Sequence, residues 1–290
     1  MHELKRGDSV GLIACSDGLT ERERPAVESI TDWLTSCGLN VRVARTLYRQ
    51  ASTPFSGSPQ ARAAELMRLF ADSNVRMIAD VSGGDSANEI LPYLDFSLIA
   101  RSPAFFAGIS DLSVLNNAFY TRCARSSLHY RAMNLAGRHA QAQRQWFTAT
   151  LLSRASQPRP ALCWLRGHMM RGTLVGGNIR CFLKLAGTDY FPNPSGKIVL
   201  LESLGGLAAR TASLLAQLDQ LGVFQSCAGV LLGTFSQLER SNETPTAAEL
   251  TLRITERYRL PVAQTMMIGH GSDAIGLFIG DELSLGTSGE

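Results

Sequence analysis

The sequence lacks the long apolar runs and the one-sided charge that mark several classes of protein. No apolar run approaches the roughly 20 residues that a membrane helix needs. The formal net charge is only +3 over 290 residues, and no run of lysine or arginine stands out. Neither nucleic acid nor a membrane surface is therefore an expected partner. Because the N-terminal residues also lack the apolar core of a secretory signal, we expect a cytoplasmic protein.

Metal and cofactor signatures are missing as well. The six cysteines have no C-x-x-C spacing, so neither a zinc site nor a disulfide framework is indicated, and we expect them to be reduced and mostly buried. No pair of the five histidines has the helical spacing of metal ligands. Neither the Walker pattern nor G-x-G-x-x-G occurs at the glycine-rich turns. These absences give no support for a metal site or for a phosphate-binding loop.

What the sequence does contain is a large apolar fraction and a regular alternation of strand and helix patterns. Hydrophobic residues make up 45% of the chain, which is enough for one large domain or two of moderate size. The first part alternates between strand-like and helix-like segments, in the order 9–14, 24–37, 41–44, 60–70 and 75–81. This β-α-β-α-β order predicts an α/β fold with a parallel sheet, in which function gathers at the carboxyl ends of the strands.

The regular alternation is lost in the middle of the chain. Residues 126–171 are polar and irregular and contain Pro158 and Pro160, so we predict that they form a linker. It would join an N-terminal α/β domain at 1–125 to a C-terminal domain at 172–290. The second domain is expected to mix strands and helices. Its strand-like segments are 173–175, 197–201, 228–233 and 275–279, and its helix-like segments are 179–186, 208–221 and 247–258.

Three polar residues have the types and the local settings of a serine-hydrolase triad. Ser110 stands where an apolar strand ending in Gly108 passes into a helix, a turn that can present a hydroxyl beside backbone N–H groups. Glu202 follows the apolar run 198–201, and His270 lies between two glycines. Each also has a plainer interpretation, as a helix N-cap, a solvated or salt-bridged carboxylate, and a turn residue respectively. The order Ser, Glu, His is one of several that triads take.

Short motifs follow one another along almost the whole chain. They are Gly83-Gly84, Ile90-Leu91-Pro92-Tyr93-Leu94-Asp95, Gly108-Ile109-Ser110-Asp111-Leu112, Val175-Gly176-Gly177-Asn178, Ile198-Val199-Leu200-Leu201-Glu202, Ala228-Gly229-Val230-Leu231-Leu232-Gly233 and Gly269-His270-Gly271. In this combination and order the chain resembles the LD-carboxypeptidase family of serine peptidases. That family includes muramoyltetrapeptide carboxypeptidases and the microcin C self-immunity peptidases.

The resemblance implies a catalytic role for three residues. Ser110 would be the nucleophile, His270 the general base and acid, and Glu202 the carboxylate that orients the imidazole. In this family the serine belongs to the N-terminal lobe and the other two residues to the C-terminal lobe, so the active site is expected between the lobes. The resemblance also implies no metal, no cofactor and often a homodimer.

The turns next to these residues are expected to bind the rest of the substrate. The backbone N–H of Asp111 and one from Gly83 or Gly84 would form the oxyanion hole, because glycine lets the backbone approach the substrate. A guanidinium such as that of Arg131 can grip a carboxylate, although a solvated surface arginine is the plainer interpretation. The candidate substrate-binding residues are Ser86, Arg131 and Asn178.

Some motifs differ from those of family members that trim murein peptides. The glycine turn is Ser82-Gly83-Gly84-Asp85-Ser86 rather than Arg-Gly-Gly-Tyr-Gly, and in this respect looks closer to the microcin-immunity branch. His129-Tyr130-Arg131 stands where many members have His-Gly-Pro. Gly206 replaces an acidic residue a few positions beyond Glu202. The substrate pocket is therefore expected to differ from that of the murein-trimming members.

Three hypotheses about function follow. The first is a serine carboxypeptidase that releases terminal D-alanine from murein-derived L,D-tetrapeptides in cell-wall recycling. The second is hydrolysis of a peptidyl-nucleotide or aminoacyl-sulfamoyl antibiotic, which a large aromatic side chain near the leaving-group pocket would favour. The third is a non-catalytic protein that binds a peptide or sugar, and it would tolerate replacement of Ser110, Glu202 or His270.

Overall fold

The computed structural model describes residues 3–50, 52–153 and 160–286. The described residues form two six-stranded sheets with helices packed on them, so the predicted α/β fold is confirmed. The strands are β1 (Ser9–Ile13), β2 (Asn40–Val43), β3 (Val75–Asp80), β4 (Phe105–Gly108), β5 (Ser127–His129), β6 (Cys163–Arg166), β7 (Met169–Asn178), β8 (Ile198–Ser203), β9 (Gly229–Phe235), β10 (Val262–Gln264), β11 (Leu277–Ile279) and β12 (Glu282–Gly286). The α-helices are α1 (Arg24–Ser36), α2 (Pro59–Ala71), α3 (Phe96–Arg101), α4 (Ser113–Cys123), α5 (Ala140–Phe147), α6 (Ile179–Leu183), α7 (Ala208–Gln220), α8 (Val223–Ser226), α9 (Ser236–Ser241) and α10 (Ala247–Ile254). In the part of the chain that the structure describes, no helix combines the length and the apolar character needed to cross a membrane.

The first sheet has the strand order β11-β5-β4-β3-β1-β2. Its neighbouring strands are parallel except for β11, which runs antiparallel to β5. Alternate side chains of the sheet enter two different core clusters, so that Leu12 packs with α1 while Ile13 packs with α2 and α4. Because both faces are covered, the central strands are almost completely buried.

The second sheet has the strand order β12-β7-β8-β9-β10-β6. Its four central strands are parallel, and an antiparallel strand closes each edge. One face packs against α6, α7 and α10. The other face contributes Leu174, Leu200 and Leu231 to the same core cluster that holds Leu12 and α1 of the first sheet. The two lobes therefore share one continuous core.

The structure differs from the prediction in the middle of the chain. Residues 126–171 contain β5, which joins the first sheet, then α5, and then β6, which joins the second sheet. Elements of three to eight residues are too short to give a recognisable periodicity, and so the sequence pattern looked irregular. Of the predicted linker, residues 154–159 with Pro158 lie outside the described residues, as do residues 287–290 of the predicted C-terminal domain.

The end of the chain also departs from the predicted division at 125 and 172. Strand β11 leaves the second lobe and pairs with β5 in the first sheet, where Leu277 lies opposite His129. Phe278 then contacts Phe105 of β4, with ring centroids 5.9 Å apart. The sequence pattern could predict that 275–279 is strand-like, but it carries no information about which sheet a strand joins. The lobes are therefore interleaved in sequence.

Candidate active site

Ser110 lies directly after β4, at the carboxyl edge of the first sheet. Its φ of 62° is left-handed, a conformation that costs a residue with a Cβ atom about 1–2 kcal/mol. A 3-10 turn, Ser110–Leu112, then leads into α4. At Gly108 an added Cβ would lie 2.6 Å from the Cβ of Leu112, so the chain can turn this tightly only with glycine there. A strained strand-to-helix turn of this kind presents a serine hydroxyl at the edge of a sheet.

Glu202 and His270 meet at the carboxyl edge of the second sheet. Glu202, in β8, is fully buried, and its Oε2 lies 2.6 Å from Nδ1 of His270, which follows β10. Because an ionised carboxylate can only accept, this contact assigns the imidazole proton to Nδ1. Among the described residues, Nε2 of His270 has no hydrogen-bond partner. The imidazole is thus held by its Nδ1 side, and its other nitrogen is available.

Gly269 is required for the backbone turn that carries His270. Its φ is 139°, and an added Cβ would lie 2.1 Å from Oγ1 of Thr234. No other residue type fits that position, which explains why a glycine precedes His270.

Ser110 and His270 line one cleft with a volume of about 360 Å³. Gly83 and Gly84 line the same cleft, so the predicted nucleophile, base and glycine turn all face it, without a hydrogen bond between the Ser110 hydroxyl and Nε2 of His270. Apart from Gly18 and Ser82, the rest of the wall is aliphatic or charged. The aliphatic residues are Leu19, Val81, Ile109, Met133 and Leu204, and the charged ones are Asp17, Glu23, Arg49 and Arg131. None of the described residues that line the cleft is a phenylalanine, tyrosine or tryptophan.

The glycine turn is shaped by Asp17. Gly84 has a φ of 133°, and an added Cβ would lie 2.2 Å from Cγ of Asp17. The Asp17 N–H donates to the carbonyl oxygen of Gly83 at 3.2 Å. A Cβ at Gly83, in contrast, would meet no atom within 4 Å. The turn is therefore fixed on one side and presents bare backbone on the other.

The Asp111 side chain anchors the turn that carries Ser110 to three other segments of the chain. Its carboxylate is fully buried, and Oδ2 accepts from the Ser16 hydroxyl and from the Ala87 N–H, each at 2.7 Å. Oδ1 accepts from Nζ of Lys184 at 2.6 Å. Lys184 belongs to the second lobe and directly follows α6. The sequence did not mark Ser16 and Lys184 as partners of Asp111, because no local pattern marks partners that lie 95 and 73 residues away.

Two of the three predicted substrate-binding residues serve the protein's own structure. Ser86 is buried, and its hydroxyl donates to Oδ1 of Asp17 at 3.1 Å. Asn178 is buried, and its Oδ1 accepts from the Cys181 N–H at the start of α6. Neither is among the cleft-lining residues, whereas Arg131 is exposed and lines the cleft. A motif predicts that a residue is near the site, but not where its side chain points.

His129 is a second histidine at this site that the sequence did not single out for a role. It is fully buried at the end of β5, and its Nε2 lies 3.7 Å from Oε1 of Glu202. Burial lowers the pKa of His129 to about 4, against the opposing effect of the nearby Glu202 carboxylate. The ring is therefore neutral at physiological pH.

The remaining residues of chemical interest are the possible metal ligands and the cysteines. Across residues 3–50, 52–153 and 160–286, no group of His, Cys, Asp and Glu side chains could hold a metal ion. The six cysteines are free thiols, of which Cys15, Cys181 and Cys227 are buried. Cys163 is exposed. Burial raises the pKa of Cys181 to about 12, so this thiol stays protonated.

Two family models match the chain, one to each lobe. The model of the LD-carboxypeptidase N-terminal domain matches residues 10–130, and that of the LD-carboxypeptidase C-terminal domain matches residues 171–285. Among curated proteins, the probable murein peptide carboxypeptidase of Bacillus subtilis (strain 168) is 26% identical over 299 residues. That match covers 98% of this chain and 91% of the relative.

Solved structures with the same fold include MccF in complex with glutamyl sulfamoyl guanosine. It superposes with a TM-score of 0.87 at 18% identity, covering 99% of this chain and 98% of the other. The muramoyltetrapeptide carboxypeptidase from Oxalobacter formigenes gives a TM-score of 0.80 at 21% identity, covering 97% and 95% of the two chains. At these identities the likeness establishes a common fold.

Proposed function

The chain belongs to the LD-carboxypeptidase family, and on this basis we propose that it is a serine carboxypeptidase with Ser110, His270 and Glu202 as its catalytic triad. Its reaction would be hydrolysis of the L,D-amide bond that holds the terminal D-alanine of murein-derived tetrapeptides. The observation that carries the proposal is the 2.6 Å contact of the buried Glu202 with His270, which lines the same cleft as Ser110.

The first half of the reaction is acylation of Ser110. Nε2 of His270 takes the hydroxyl proton while Oγ attacks the carbonyl carbon of the scissile amide. Glu202 stabilises the imidazolium that forms, because its carboxylate receives the Nδ1–H. His270 then passes the proton to the amide nitrogen as the C–N bond breaks, and D-alanine leaves as a free amino acid.

The second half consumes water. His270 removes a proton from a water molecule, whose oxygen attacks the acyl group on Ser110, and the proton then returns to Oγ as the tripeptide leaves. In both halves the negative charge on the carbonyl oxygen would be stabilised by the backbone N–H of Asp111 and one from the Gly83-Gly84 turn. The bare backbone of that turn supports this assignment.

The charges of the cleft support a small peptide as substrate. Arg131 can pair with the terminal carboxylate of a peptide, since a guanidinium donates two parallel hydrogen bonds. Asp17 and Glu23 provide negative charge on the same wall, where a substrate ammonium group would be favourable. A substrate with groups of both signs fits this cleft better than a uniformly anionic one.

A peptidyl-nucleotide or aminoacyl-sulfamoyl amide is the second candidate substrate. The Ser82-Gly83-Gly84-Asp85-Ser86 turn favours it, since this turn is closer to the microcin-immunity branch. A nucleobase, however, needs a large aromatic face for stacking, and the described part of the cleft wall contains no phenylalanine, tyrosine or tryptophan. The murein peptide therefore ranks first.

We also propose that the enzyme works in the cytoplasm and as a homodimer. Six free thiols suit a reducing compartment, in which cysteines persist without pairing. The dimer is proposed from the resemblance to the family alone. Light scattering during size-exclusion chromatography measures the mass directly, and a mass near 31.4 kDa would contradict the dimer.

The deciding experiment is release of D-alanine from a synthetic murein tetrapeptide by the wild type, Ser110→Ala and Glu202→Gln. We expect both substitutions to lower kcat by about 10⁴-fold or more, as triad losses do in other serine peptidases. A tetrapeptide ending in L-alanine serves as the matched control for stereochemistry. Wild type that leaves the tetrapeptide intact but cleaves an aminoacyl-sulfamoyl adenosine would move the assignment to the second substrate, and cleavage of neither would support a non-catalytic binding protein.

A further inference from the structure

His129 is the last residue of β5 and lies beside the strand that carries the nucleophile. In the register of the sheet it is opposite Gly108, two residues before Ser110. Its side chain is completely buried. Burying an imidazole is unfavourable unless its polar atoms are hydrogen-bonded. Yet among the described residues neither ring nitrogen of His129 has a hydrogen-bond partner.

The titratable groups that face the ring are those of the triad. Nε2 of His129 lies 3.7 Å from Oε1 of Glu202, whose other oxygen, Oε2, lies 2.6 Å from Nδ1 of His270. Oε1 of Glu202 likewise lacks a hydrogen-bond partner in the described part of the chain. The carboxylate is thus placed between two imidazoles, and each of its oxygens faces one of them.

The space for the His129 ring depends on a glycine of another strand. Gly177 of β7 has a φ of 126°, and an added Cβ would lie 3.0 Å from Cε1 and 3.1 Å from Nδ1 of His129. The same Cβ would lie 2.6 Å from the Ser113 hydroxyl at the start of α4. The ring is therefore confined by β7 and α4, with Nε2 directed at Glu202.

The chemistry of the two groups is complementary. Because burial keeps His129 neutral, its ring carries one N–H, and a neutral donor adds no second positive charge beside His270. A shift of about 0.8 Å would turn the 3.7 Å separation into a normal hydrogen bond of about 2.9 Å. That bond would also satisfy two of the polar atoms that otherwise lack a partner.

We propose that His129 is a positioning residue, whose Nε2–H holds Oε1 of Glu202 so that Oε2 stays aligned with His270. The inference rests on the proposed triad. With both oxygens held, the carboxylate has one orientation, and the His270 imidazole is fixed with it. Donation from His129 to Oε1 also draws negative charge away from Oε2. Glu202 then attracts the Nδ1 proton of His270 less strongly.

Two substitutions of His129 distinguish the effect of the N–H donor from the effect of the volume of the ring. His129→Leu keeps an apolar side chain but has no donor, whereas His129→Gln can present an amide N–H to the carboxylate. We expect His129→Leu to lower kcat by roughly 10- to 100-fold with KM unchanged, because the buried ring does not reach the substrate. His129→Gln is expected to retain most of the kcat that His129→Leu loses. The matched control is His168→Leu at an exposed histidine of the second lobe, which should behave like the wild type.

A readout that needs no substrate distinguishes this inference from the proposed function. In NMR titrations, the His270 ring is expected to titrate at higher pH in His129→Leu than in the wild type, since Glu202 then holds the imidazolium more strongly. His129→Gln should restore the wild-type titration. An unchanged His270 titration in His129→Leu would overturn the inference, even if tetrapeptide cleavage succeeds. Equal shifts in both variants would overturn it too, because they would assign the effect to packing.

The wild type itself provides a test that does not depend on how well a variant folds. Nitrogen-15 spectra of the histidine rings report which nitrogen carries the proton. The proposal requires the Nε2–H tautomer for His129 at neutral pH. Observation of the Nδ1–H tautomer would contradict it, whether or not the tetrapeptide is a substrate.

Discussion

Two adjacent glycines that line the cleft are glycine for different reasons. Gly84 has a left-handed φ, and Asp17 occupies the place where its Cβ would be. Gly83 has open space at that place. We therefore predict that Gly84→Ala destabilises the fold by about 2 kcal/mol and lowers kcat at least tenfold, because the turn must move. Urea unfolding and D-alanine release measure the two effects.

The matched control for that substitution is Gly83→Ala. Its stability should stay within about 0.5 kcal/mol of the wild type, since the methyl group meets no atom. The methyl would enter the cleft and raise KM. If the two variants lose stability equally, the glycine turn is not held by Asp17 in the way the contacts indicate.

His129 should make the stability of the protein depend on pH. Its folded pKa of about 4 lies below the ordinary histidine pKa of 6.5, so in that interval the unfolded chain binds a proton that the folded protein does not. Stability from this group is therefore complete above about pH 6.5 and falls as the pH is lowered towards 4, by up to about 3 kcal/mol.

Urea unfolding of the wild type and of His129→Gln across that pH interval measures the contribution. The wild type is expected to lose more stability on acidification than the variant, which has no titrating ring. His168→Gln, at an exposed position, should keep the wild-type slope. Parallel curves for the wild type and His129→Gln would show that the buried ring does not resist protonation.

At the scale of elements, two side chains, one at the start of helix α6 and one directly after its end, hold both turns that would form the oxyanion hole. Nζ of Lys184 donates to Asp111 and, at 2.7 Å, to the backbone carbonyl of Asp85. Arg180 forms an ion pair with Asp85 and donates to the carbonyl of Gly84 at 3.3 Å. One helix of the second lobe thus fixes two segments of the first.

We predict that Lys184→Met destabilises the protein by about 2–3 kcal/mol, because it leaves the buried Asp111 carboxylate without its counter-ion. The same substitution should lower kcat more than it raises KM, because the two oxyanion-hole turns shift while the residues that line the cleft stay in place. Lys184→Arg is expected to retain most of the stability and most of the kcat of the wild type. Lys5→Met, at an exposed lysine, is the control in the same urea and activity measurements. Wild-type kcat in Lys184→Met would show that α6 does not position these turns.

At the scale of the whole molecule, the shared core should make the two lobes unfold together. Leu12 and Phe105 of the first sheet pack in one cluster with Leu200 and Leu231 of the second, and β11 crosses back to pair with β5. We predict a single calorimetric transition whose van't Hoff enthalpy equals its calorimetric enthalpy. Two resolved transitions would mean that the lobes are independent domains, as the sequence alone had indicated.

The local patterns of the sequence were sufficient for the first lobe and for the nucleophile turn. Apolar runs and helical spacing are set by residues a few positions apart, so 9–14, 24–37 and 75–81 were predicted close to their observed bounds. The Gly108-Ile109-Ser110 turn is local in the same sense, because the side chains that crowd a Cβ at Gly108 belong to the nearby Leu112 and Phe106. The ordered motifs then added the family, which the two matching domain models bear out.

Only the tertiary structure decided which distant groups meet. The contact of Glu202 with His270 spans 68 residues, and that of Lys184 with Asp111 spans 73. Such pairs leave no periodic signal in one sequence, and neither does the approach of His129 to Glu202. The return of β11 to the first sheet and the inward direction of Ser86 are likewise outcomes of packing. The sequence determined which elements form and which residue types are available, because those depend on neighbours along the chain; the structure decided their partners, because burial and register depend on neighbours in space.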